Sequence, residues 1–492
     1  MKKTVRKLIK SARKLTILYF ILIFAFSISM VLCYALPNKT VVKNIDKSIE
    51  TLEYEGLYPR KFGNSEAVQL DNFTDAWMLN IASTKELGHP VKSAFENPFL
   101  IAENGSDKVK NLSLLMKHYN NTDDYKDVYR AAKDGNSTSL QYSSYSRYWH
   151  GYLIVLKPLL SVFSYDSLRI VNTIAMTAVL ITVMYLLDIK IGTRYALAFF
   201  ASMMSIRIFI APFSIQFSNM FYMTLFSMIG ILSFYEWIRK RRCEYLVFFA
   251  IGACTSFFDL LTFPLLPIGA ALTTYVLLSL NNSKNISVNN LANNSGNCLE
   301  NSLKNCAGSN SSNCSENVSG NNSENNYGLS LLWRMIEVLK LSVIWTVGYG
   351  LTWASKWVLA SVLLNENVVK RSIEQIFLRT SAETSDQKLT MYGVIRNNVV
   401  MPFGVTVLKL LICIAVIWVI VMIMRRRKYL LDVLPILMVS IYPIVWYAVL
   451  KNHSFIHSWF TYRDLGVSIF AVLSAMAYSV GPFLPVRTKI NH

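Results

Sequence analysis

The sequence is poor in charge. Only 16% of its 492 residues are Asp, Glu, Lys or Arg, and 53% are apolar. Soluble domains carry about 25% charged residues. Acids are scarcest, 30 against 49 Lys and Arg, which leaves a formal net charge of +19. Cysteine is sparse too, with seven residues and no CxxC or Cys/His ligand spacing. Neither a disulfide framework nor a zinc site is expected. No internal repeat is visible. The missing charge is concentrated in apolar runs of about 18–22 residues, the length that crosses ~30 Å of hydrocarbon. A soluble enzyme and a disordered or fibrous chain are therefore excluded. An all-α integral membrane protein of about ten transmembrane helices is expected. The basic excess lies just beyond the apolar runs, as the positive-inside rule requires, so no nucleic-acid partner is implied.

Residues 1–14 hold seven Lys or Arg and no acid, and an apolar run follows over 15–36. That run exceeds the ~7–15-residue core of a signal peptide, and Val31-Leu32-Cys33-Tyr34 is a poor cleavage site. An uncleaved first helix with a cytoplasmic N-terminus is expected, in a cell membrane. Residues 37–166 read as a large outer loop. Short amphipathic helices are expected over 72–83 and 122–132. The stretch 149–163, broken by Lys157-Pro158, reads as a re-entrant or interfacial helix. Further spans are expected at 167–187, 195–209, 217–237, 244–258, 265–280, 338–356, 404–424, 430–450 and 464–481. A second outer loop covers 357–403, in which Glu366, Lys370, Arg371, Glu374 and Arg379 suggest a helix along the surface, and 482–492 is a cytoplasmic tail. On this count Lys190, Arg194, Arg239–Arg242 and Arg425–Lys428 all fall on the cytoplasmic side, while the short outer turns near 211–216 and 259–264 carry no Lys or Arg. Residues 281–327, rich in Asn, Ser and Gly, cannot bury enough apolar surface to order themselves and read as a disordered cytoplasmic linker.

Several ionisable side chains stand out on the outer side. Asp71 and Asp75, in LDNFTDAWM, share a helix face at i, i+4. They read either as a helix cap with a solvated acid or as carboxylates for acid/base work. Arg147 and His150, in SRYWHGYLIVLKPLL, sit among aromatic residues that suit interfacial anchoring or a sugar phosphate equally. Asp259, in SFFDLLTFP, is an acid in apolar sequence, which by default marks a site; the bland alternative is a solvated helix end. Lys356 either snorkels to the interface or neutralises a phosphate. In NHSFIHSWFTYR, His453 and His457 lie four apart and Tyr462-Arg463 follows. Acid/base chemistry or phosphate binding fits this segment better than a metal pair, and polar helix capping is the plain alternative.

These segments and this layout resemble the GT-C class of polytopic glycosyltransferases, which use polyprenyl-phosphate sugars, and uncharacterised bacterial integral membrane proteins. The resemblance covers most of the chain outside 281–327. It implies a cytoplasmic N-terminus and an essential acid in the first outer loop, matched here by Asp71 and Asp75. These two are separated by three residues, where many members have adjacent or alternate acids. It implies sugar transfer on the outer face from a lipid-linked donor to an envelope acceptor, among membrane lipids. Arg147, His150, Asp259, Lys356, His453, His457, Tyr462 and Arg463 would bind substrate or phosphate. A divalent cation is compatible with that chemistry, though no feature of the sequence demands one. A transporter or flippase and a non-enzymatic envelope assembly protein are the competing classes. Transport predicts mid-membrane charges and repeated broken helices, which the sequence does not display.

Overall fold

The computed structural model describes residues 2–85, 89–102, 106–121, 125–134, 140–282 and 321–479. Most of the expected linker and the whole tail lie outside these residues. The linker's two ends do not: residues 281–282 close the helix Leu265–Asn282, and 321–327 open the helix Asn321–Leu364. Among the described residues the regular structure is helical apart from one antiparallel pair, Pro98–Ala102 with Leu140–Ser144, in which Leu100 faces Tyr142.

Among the described residues, six helices are long and apolar enough to cross a membrane: Ile9–Ala35, Tyr165–Lys190, Ile215–Arg241, Leu265–Asn282, Gly404–Arg425 and Tyr429–Val449. The expectation was ten. Three of the remaining segments form the helices Thr193–Ser205, Glu244–Phe258 and Leu465–Ser479, of 13, 15 and 15 residues. At 1.5 Å per residue these reach only about 20–23 Å, short of the hydrocarbon thickness. The fourth lies inside Asn321–Leu364. Burial sorts the spans. Leu265–Asn282 is the central helix, with 89% of its apolar window buried, whereas Gly404–Arg425 is peripheral with 6%.

Glu244–Phe258 and Asn321–Leu364 pack against each other through opposed glycines. A Cβ on Gly252 would collide with the Trp345 carbonyl, and one on Gly348 with the Phe249 carbonyl. Small residues let two apolar helices approach closely where lipid supplies no hydrophobic drive.

Between the first two long helices the chain builds a second core of its own. Val41, Ile45 and Leu52 pack with Leu79, Leu112 and Leu115. Leu153–Leu160, the segment expected at the interface, is embedded in this core. Lys157 is fully buried and donates to Asn38 Oδ1 at 3.0 Å. Trp149 and Arg169 help to fasten this unit to the bundle. Trp149 donates from Nε1 to the Thr352 carbonyl at 2.7 Å. Arg169, on the second long helix, pairs with Glu55 at 2.9 Å and donates to Asn72 Oδ1 at 3.0 Å.

Candidate functional site

A cavity of about 370 Å³ lies where the helix Asn72–Ser83, the turn at His150, the helix Val368–Thr380 and the segments Lys451–Ile456 and Ser458–Thr461 converge. That is within the ~300–1,000 Å³ usual for small-molecule sites. Aromatic rings make most of its wall. Trp77 stacks on Tyr145 with ring centroids 4.9 Å apart, and Trp459 meets Tyr58 edge-on at 5.6 Å.

Asp71 brings the one carboxylate among the described lining residues. It caps the helix Asn72–Ser83, its Oδ1 accepting from Thr74 N–H at 2.9 Å. Capping is why the residue sits where it does, since the first N–H groups of a helix lack partners. Burial pushes its carboxyl up to about 7; hydrogen bonds from Thr74 oppose that, and the nearby Asp75 adds to it.

The three histidines of the wall are held neutral, His457 by the bond it accepts and His150 and His453 by burial. A carbonyl only accepts and a guanidinium only donates. His150 Nε2 lies 3.1 Å from the Tyr145 carbonyl and so carries the proton, leaving Nδ1 to accept from the Tyr152 hydroxyl at 3.0 Å. His453 Nε2 donates to the Leu261 carbonyl at 2.7 Å. His457 Nε2 accepts from Arg379 Nη1 at 3.2 Å, so its proton is on Nδ1. Burial lowers all three: His150 falls to about 3, His457 to about 4 with Arg379 adding to the effect, and His453 well below the usual range.

Asp71, His150, His453 and His457 thus come together from remote parts of the chain. The other expected site residues do not line the cavity. Asp75 is tied up: its carboxylate accepts from Tyr165 Oη at 2.6 Å, Ser214 Oγ at 3.2 Å, Ile215 N at 2.9 Å and Gln216 N at 3.2 Å. It caps the helix Ile215–Arg241 from outside, a tether with no lone pair left over for chemistry. Asp259 lies behind the wall formed by Leu260 and Leu261, accepting from Thr262 N at 2.8 Å and Tyr349 Oη at 3.1 Å. Lys356 is buried, donates to the Ala94 carbonyl at 2.9 Å and lies 5.0 Å from the Phe95 ring centroid. Arg147 rests 5.3 Å from the Tyr145 ring centroid, outside the lining. Tyr462 and Arg463 brace the loop at Ala67: Tyr462 donates to its carbonyl at 2.8 Å, and Arg463 donates to Trp459 O at 3.0 Å and packs 4.1 Å from the Phe217 ring centroid.

Arg379 is the residue that sequence reading left out of the site. Its place on a surface helix was legible. Its approach to a histidine 78 residues away was not. Among the described residues, no three His, Cys, Asp or Glu side chains converge as a metal site would need. The His453 and His457 rings are 5.0 Å apart, but Arg379 occupies the second and would repel a cation.

Comparison with protein-family models, with curated proteins and with solved structures finds no match to this chain.

Proposed function

We propose that the protein is a membrane glycosyltransferase that moves a sugar from a polyprenyl-phosphate donor to a cell-envelope acceptor, with this cavity as its active site. The observation that carries the reading is the placement of the buried Asp71 carboxyl in an aromatic-walled cavity that also contains Arg379. The layout shared with the GT-C class adds to it. In this reading the four shorter or atypical helices complete a ten-crossing bundle, the N-terminus is cytoplasmic and the cavity faces outward.

The acceptor hydroxyl attacks the anomeric carbon of the donor. A new C–O bond forms there while the bond from that carbon to the phosphate oxygen breaks, and the phosphate leaves with the electron pair. Asp71 takes the hydroxyl proton. A base placed in hydrogen-bond reach contributes about 10²–10⁴-fold. Arg379 offsets the charge that grows on the leaving phosphate, an interaction strongest in the transition state. Holding His457 neutral, with Nε2 as the acceptor, keeps Arg379 oriented. Asp75 acts one step back, by fixing the first turn of the helix that Asp71 caps.

The test is transfer of labelled sugar from polyprenyl-phosphate donors by the purified protein in nanodiscs. Transfer by the wild type and its loss in Asp71→Asn are the expected results. Retained transfer in that variant would sink the assignment of the base.

A further inference from the structure

The charge inventory of the cavity narrows the substrate, on the premise that the proposed transfer occurs there. The described lining residues hold one acid, Asp71, and one permanent cation, Arg379. The bond from Arg379 at His457 and burial at His150 and His453 keep the three imidazoles neutral, so each offers a donor or a lone pair but no charge. Arg379 already gives one of its donors to His457. A single guanidinium can answer a single phosphate, and nothing else in the wall answers a second anion.

The other hydrogen-bonding groups of the wall bear no charge. Tyr58, Tyr145, Tyr148, Thr74 and Gln69 bring hydroxyls and an amide to the lining. Such groups both donate and accept, which suits the hydroxyls of a sugar. The surrounding rings suit the apolar face of a sugar ring.

From this we infer that the transferred sugar is an uncharged polyhydroxylated ring, and that the cavity rejects sugars bearing a carboxylate. A uronic acid would set its carboxylate against Asp71 and against the lone pairs of the wall. An amino sugar would pair its ammonium with Asp71 and silence that residue as a base. The lone charge recognised is therefore that of the phosphate linkage, and the sugar is read by hydroxyl hydrogen bonds and stacking.

The experiment measures binding by calorimetry, with the full chain in nanodiscs and short-chain citronellyl phosphate esters as probes. Hexose, hexuronic acid and hexosamine esters are compared in the gluco, galacto and manno series. We expect at least one hexose ester to bind on the order of tenfold or more tighter than its uronic acid partner, as like charges in a partly desolvated site require. In Asp71→Asn that gap should shrink to within about threefold, since the repulsion is gone. Arg379→Gln should weaken the hexose and uronic acid esters alike, because both share the phosphate. Equal or tighter binding of the uronic acids by the wild type overturns the inference, as does an unchanged gap in Asp71→Asn. If the esters bind in the reversed order but sugar is still transferred, only this inference falls. If none binds and no polyprenyl-phosphate sugar is transferred, the glycosyltransferase reading falls with it.

Discussion

The two aspartates of the first loop differ by one helical turn and do opposite work. Asp71 keeps its carboxyl in a cavity, and Asp75 spends its own on four donors. Their substitutions should separate cleanly. Asp71→Asn keeps the cap on Thr74 and should lose about 10²–10⁴-fold in transfer rate with little loss of stability. Asp75→Ala should lower stability by ~1–3 kcal/mol, because Ile215 N–H and Gln216 N–H are left without an acceptor. Thermal melts and initial rates on the same preparations check both. The pH dependence has a sign. Asp71 must be ionised to act as a base, and its carboxyl is pushed up to about 7, so the rate should rise with pH through a midpoint near 7 and then level. Stability runs the other way. A carboxyl raised above its ordinary value of about 3.9 contributes stability at low pH that is lost as pH climbs through the raised value. Relative to Asp71→Asn, the wild type should therefore lose melting temperature as pH rises from about 4 to about 7, since the three lowered histidines contribute alike to both proteins. A rate that does not change between pH 5 and 8 would count against Asp71 as the base.

At the scale of elements, the contact between Glu244–Phe258 and Asn321–Leu364 depends on the absence of side chains. Gly252→Val forces a branched side chain into the Trp345 carbonyl, and overpacking of this kind costs about 1–3 kcal/mol. A lowered unfolding temperature in detergent, with Gly350→Val as the control, checks this; Gly350 has open space around its Cβ position. The helices of the cavity were readable to different degrees. Asn72–Ser83 follows from its capping aspartate and its apolar positions, and Val368–Thr380 from the spacing of Glu374, Lys370 and Arg371. The hairpin of Pro98–Ala102 with Leu140–Ser144 was not readable. Its strands are five residues each and some 40 positions apart, so neither period nor turn chemistry signals the pairing.

For the whole molecule, the prediction is one of sidedness. Tyr54 stands 93% exposed on the unit that carries Asp71. In intact cells, Tyr54→Cys should react with a membrane-impermeant maleimide, whereas Lys240→Cys should react only after lysis. The reverse pattern would place the cavity on the cytoplasmic side and remove the outer-face reading. The ionic tie of Arg169 to Glu55 and Asn72 holds that unit on the bundle beside Asp71. Its side chain is 6% exposed, so Arg169→Met should loosen the docking and raise KM more than it lowers kcat.

Composition and patterning were enough to establish a helical, membrane-type chain, because crossing hydrocarbon demands long uncharged runs that nothing else in a soluble protein would tolerate. They also marked Asp71 and the two histidines near its end as chemically unusual. Which polar groups face a hollow and which are consumed by neighbours was a matter of three-dimensional packing. Asp75, Asp259, Lys356 and Arg463 look no different in one dimension from residues free to react. Each is spent on partners that only long-range folding delivers: a helix end for Asp75, a tyrosine for Asp259, a carbonyl 262 residues distant for Lys356 and a phenyl ring for Arg463.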